Sequence, residues 1–151
     1  MARTETGPAT AGTMVMFPTG GSRRSAAPRS GRVDAALADA RRCLGDAMRT
    51  SDPVERFAAA HLAGLRAGAA LLGTYPSPAM RRQRSASVWQ QLDRVAPEFA
   101  DWTAYFAAGS AKRRAAEAGI ARQISSAEAD EWTRRAAQFI ELVADRLVVA
   151  A

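Results

Sequence analysis

The sequence holds a single cysteine, Cys43, and a single histidine, His61. One cysteine rules out an intrachain disulfide and any cysteine-based metal site, and one histidine rules out a multi-histidine cluster. On these grounds neither a metal nor a cofactor is expected. Lysine is nearly absent too: Lys112 is the only one, so the formal charge of +6 rests on arginine. No apolar run approaches the roughly 18 residues that a membrane span needs. The stretch Met14 to Phe17 is too short for a signal-peptide core, and its arginines, Arg23 and Arg24, follow it instead of preceding it. These absences point to a cytoplasmic protein without a membrane segment. Standard catalytic signatures are missing as well. There is no glycine-rich phosphate loop with its lysine, no nucleophile elbow, no zinc spacing and no dinucleotide fingerprint.

What remains is a chain of 151 residues, 48% hydrophobic, with alanine making up much of that share. Such a length fits one domain with its own core. Alanine favours helix but buries little surface, so the core must come from relatively few large side chains. Excess arginine permits binding to nucleic acid or another anionic partner. Arginine-, alanine- and glycine-rich usage is equally what a GC-rich bacterial genome encodes, so charge alone does not choose between the two.

Residues 1–31 are rich in Gly, Pro, Thr, Ser and Arg without periodicity and read as a disordered tail. Residues 32–149 read as an all-α, up-and-down bundle of about five helices. The first helix, Arg32 to Arg49, carries Val33, Leu37, Ala40, Leu44 and Met48 at helical spacing. The second has the clearest start: Asp52 as N-cap, Pro53 at the first helical position, Glu55 three residues after the cap. Gly73 ends it. Its Ala- and Gly-rich interior lets neighbours approach closely, which predicts a central place in the bundle. A basic run, Arg81, Arg82 and Arg84, precedes a short third helix from about Ser87 to Val95. Pro97 opens a fourth helix with Phe99, Trp102 and Phe106 on its apolar face and Lys112, Arg113 and Arg114 at its basic end. Gly109-Ser110 is a candidate kink, and Gly119 closes the helix. The fifth starts at a capping-box pattern, Ser125-Ser126-Ala127-Glu128, and runs through Trp132, Ala136, Phe139, Ile140, Val143 and Leu147. Trp89, Trp102 and Trp132 are placed in the core by their spacing. No stretch alternates with period two, so no strand is expected.

One constellation on the second helix suggests chemistry. Arg56-Phe57-Ala58-Ala59-Ala60-His61 sets an arginine and a histidine with four residues between them. That spacing resembles the Arg-(four to six residues)-His motif of the HEPN superfamily, small helical bundles found in many prokaryotic RNases and toxins. With ERFAAAHLAGLRAGAALL, VAPEFADWTAYFAAGSAKRRAAEAG and ISSAEADEWTRRAAQFIELV, the chain from about 34 to 147 resembles a small actinobacterial HEPN branch of uncharacterised proteins. The resemblance implies metal-independent RNA cleavage by a homodimer, with two motifs meeting across the interface. His61 would be the general acid/base, having an ordinary pKa near neutrality, and Arg56 would hold the phosphate and stabilise its developing charge. Arg81, Arg82, Arg84, Arg113 and Arg114 would then contact the RNA backbone.

Helix geometry leaves a second possibility open. At about 100° per residue, Val54, Phe57, His61, Leu65, Gly68 and Leu72 fall in one ~80° arc, and Arg56 lies roughly 140° from His61. His61 is then either a neutral core histidine, with Arg56 solvated, or part of a dimer face. The first placement goes with a non-catalytic module that binds or regulates another protein, the second with an RNA- or nucleotide-handling domain.

Overall fold

The computed structural model describes residues 29–76, 87–119 and 124–149; Arg81, Arg82, Arg84 and most of the N-terminal tail lie outside them. Within the described residues the protein is an all-α bundle. Helix α1 spans Arg29–Arg49, α2 Pro53–Leu72, α3 Val88–Val95, α4 Ala100–Glu117 and α5 Ser126–Val149. A 3-10 turn, Pro97–Phe99, leads directly into α4. Helix α1 begins at Arg29, slightly before the Arg32 start that its apolar spacing predicts.

The helix starts follow local chemistry. At α2, the Asp52 side chain accepts from the Val54 N–H and Pro53 occupies the first turn. Glu55 does not reach back to the cap. It accepts a 3.0 Å bond from the Thr50 hydroxyl, which in turn accepts from the Asp52 N–H at 3.4 Å. At α3, Ser87 and Gln90 complete a reciprocal capping box. At α5, Ser125 accepts from the Glu128 N–H at 3.1 Å, while the Glu128 side chain turns to Lys112.

Helix α2 packs against all the other helices, as its small residues predict. Ala60, Ala63, Ala67 and Ala70 are wholly buried. The large side chains come from its neighbours. Trp89 of α3 stacks on Phe106 of α4 with centroids 5.1 Å apart, and Phe106 lies 5.2 Å from Phe139 of α5. Gly64 makes room for this layer: a Cβ there would stand 2.3 Å from Phe106 Cε1. Helices α4 and α5 meet chiefly through their aromatics, including Tyr105 against Trp132 at 4.3 Å and Trp102 stacked on Phe139 at 5.6 Å.

Two glycines act through packing: Gly109, where a kink was expected, and Gly73, which ends α2 as expected. Helix α4 runs through Gly109 without interruption, and a Cβ at Gly109 would meet Trp132 Cη2 at 2.3 Å and His61 Cδ2 at 2.9 Å. Gly73 closes α2 in right-handed geometry, with φ −63°, so no left-handed turn requires it. A Cβ there would instead lie 2.9 Å from Val33 Cγ2 of α1. Gly119, with φ +69°, follows the end of α4 and does need the left-handed region.

Candidate functional site

Helix α2 carries both residues of the Arg–His pair, and its buried face is broader than hydrophobicity alone indicates. Counting alanines and glycines, that face runs from Ala63 and Ala70 round to His61 and Leu72, roughly 200° of the circumference. Val54, inside the apolar stripe by residue type, is 46% exposed at the helix start. Arg56 and His61 point to different parts of this wide face, and their partners differ accordingly.

Arg56 sits in the first turn of α2, where the bundle opens. Its Nε and Nη2 donate to the Thr50 carbonyl at 3.2 and 2.8 Å. Its Nη1 forms an ion pair with Asp130 of α5. Thr50 directly follows α1, so Arg56 satisfies a main-chain acceptor beyond that helix's end, where carbonyls lack helical partners. Three elements are joined by one guanidinium: the end of α1, the start of α2 and the first turns of α5. The side chain is only 22% exposed. Leu44, Met48, Thr133 and Ala137 line a shallow groove beside it.

His61 lies one turn further on and faces α4 and α5. It is 2% exposed. Phe57 and Trp132 lie against the ring, with centroids 6.1 and 6.0 Å away. Nε2 is 3.2 Å from the Ser110 hydroxyl of α4, and Nδ1 is buried without a hydrogen-bond partner. Burial lowers the imidazole pKa below its ordinary value; the positive charge of Arg113 adds to this, and the Phe106 backbone partly opposes it. The neutral ring is therefore the favoured form. Ser110 and Arg113 fall on the same side of α4, three residues apart.

His61 and Arg56 thus have separate partner sets, with no shared hydrogen-bonding group. Among the expected phosphate contacts, Arg113 is half-buried near His61 and Arg114 is exposed on the last turns of α4. Lys112 is paired with Glu128 at 3.1 Å. Arg81, Arg82 and Arg84 lie outside the described residues. Among the described residues, no three His, Cys, Asp or Glu side chains converge on a possible metal position, and no helix is long and apolar enough to cross a membrane.

Sequence reasoning missed the neighbours that define each residue's setting. Ser110 was placed at a kink, and Asp130 and Thr50 carried no motif. Nothing local marks them, because each meets its partner through tertiary packing.

Comparison with protein families matches residues 47–144 to the SAV_6107-like HEPN family. The match takes in the end of α1 and runs through most of α5. No curated protein and no solved structure matches the chain.

Proposed function

The chain belongs to the SAV_6107-like HEPN family, and from the geometry of α2 we propose that it works as a non-catalytic interaction module. In this role Arg56 and His61 hold the bundle together and do not cleave RNA. The observation that carries the proposal is the divergence of the pair. General acid/base catalysis needs the imidazole within hydrogen-bond reach of a ribose hydroxyl or leaving oxygen. His61 is sealed between Phe57, Trp132 and α4, with Ser110 on Nε2. A phosphate clamp needs donors aimed at the substrate. Those of Arg56 are aimed at Thr50 and Asp130. Exposed apolar side chains, notably Met48 and Val54, give the bundle surface on which a partner protein or a second copy can bury area.

Family membership favours a second reading, a metal-independent RNase active as a dimer. In that form His61 works with Ser110 and Arg113 beside it, and Arg113 and Arg114 contact RNA phosphates. It requires the α2–α4 contact to open so that substrate reaches Nε2.

One experiment separates the two. Purified protein is incubated with structured and unstructured RNA in excess chelator, alongside His61→Gln and Arg56→Lys variants whose thermal unfolding has been recorded. Its mass in solution is measured in parallel. Non-catalytic function predicts no cleavage above background in any of the three. Cleavage by the wild type that both folded variants lose would overturn it.

A further inference from the structure

The outer side of α5 carries a shallow apolar groove with an acidic rim. Trp102, Ala137 and Leu142 form its floor, and Gln138, Glu141 and Asp145 surround them. Leu142 is 41% exposed. The Glu141 side chain is 72% exposed, with Arg41 of α1 at 4.0 Å. Two carboxylates against one arginine leave the rim acidic, on a chain whose formal charge is +6.

We propose that this groove is covered by the chain's own N-terminal segment, Met14-Val15-Met16-Phe17, with Arg23 and Arg24 facing the carboxylates of Glu141 and Asp145. Three observations carry it. The first is chemistry: within residues 1–28 this is the only run of large apolar side chains, and two adjacent arginines follow it closely. An apolar anchor followed by positive charge is the complement of an apolar floor with a negative rim. Methionines and a phenylalanine suit a shallow, irregular surface.

The second is reach. Arg41 beside Glu141, and Leu44 and Met48 beside Asp130 and Arg134, show that α1 and α5 run antiparallel. The start of α1 at Arg29 is then about 18 Å along the helix from the level of Glu141. Asp145 is nearer still. From Phe17 to Arg29 an extended chain spans up to ~40 Å, about twice what is required. The third is tethering. A contact of four side chains is weak between separate molecules, but a short linker holds its ends at an effective concentration in the millimolar range. The chain's own segment therefore outcompetes a second copy at ordinary protein concentrations.

The test uses the full chain with photoreactive p-benzoylphenylalanine in place of Phe17. After irradiation at micromolar concentration, cross-links are mapped by mass spectrometry. Links within one chain to Trp102 or to residues 137–145 are expected. In the same chain, Leu142→Ser and Asp145→Lys, both at exposed positions, should each cut the yield at least fivefold with an unchanged thermal midpoint. Links between chains, links elsewhere, no links, or a yield indifferent to both substitutions would overturn the proposal. The RNA-cleavage outcome does not bear on it.

Discussion

Lowering the pH from 7.0 to 5.5 should destabilise this protein measurably, and a single side chain should account for the loss. His61 is the only histidine, and no other side chain has an ordinary pKa in that interval. In the unfolded chain it titrates near 6.5, its ordinary value, whereas burial and Arg113 hold it lower in the fold. As pH falls through 6.5 the unfolded state binds a proton that the folded state refuses, so stability decreases. The loss ends only when the pH passes the folded pKa. If the folded imidazole stays neutral throughout, protonation of the unfolded state over this interval removes about 1.3 kcal/mol, an upper bound. With a urea dependence of about 1–3 kcal/mol per molar for a chain of this size, the midpoint falls by up to ~0.4–1.3 M. Urea unfolding followed by circular dichroism at constant ionic strength reads this directly. The His61→Gln variant should show a nearly flat profile over the same range. A wild-type midpoint that stays constant or rises on acidification would show that the fold accepts the imidazolium, and the buried placement of His61 would then be wrong in solution.

Other substitutions probe the same contacts. Gly64→Ala drives a methyl group into Phe106; overpacking costs about 1–3 kcal/mol and improved helix propensity returns about 1. A net loss of thermal stability is expected, and Phe106→Leu in that background should cost less than it does alone, as a double-mutant cycle reveals. Arg56→Met removes the donors on the Thr50 carbonyl and should cost about 1.5–3 kcal/mol in chemical denaturation. Asp130→Ala should cost under ~1 kcal/mol, because that carboxylate is 53% exposed and its ion pair is screened. Equal losses in the two variants would assign the work of Arg56 to the ion pair.

Much of the fold was legible because helices announce themselves locally. Asp52-Pro53, Ser87 and Ser125 mark starts through bonds to amides two or three residues away. The central position of α2 followed from its alanines and glycines. The site was less legible, for a physical reason. Spacing along one helix fixes the angle between Arg56 and His61, but their partners arrive from α1, α4 and α5. Weighting positions by hydrophobicity also centred the buried stripe on Val54 and His61. Alanines and glycines that bury little side chain still turn towards the core, and they widen the face until both residues lie at its margins. The tie between α3 and α4, the Thr103 hydroxyl on Asp93, gave no sequence signal at all.

The grip of Arg56 on Thr50 also sets the direction in which the bundle loosens. Helix α1 is anchored unevenly. Its first half is held by Val33 and Leu37, while its far end is tied down by Arg56 and continues through a short connection into α2. Opening that begins at Arg29 releases apolar contacts, chiefly those of Val33 and Leu37. Opening from Arg49 must first break charge-assisted hydrogen bonds shared with two other helices. Local unfolding of α1 therefore proceeds as fraying from its N-terminal end, and amide-exchange protection should climb along the helix towards Arg49.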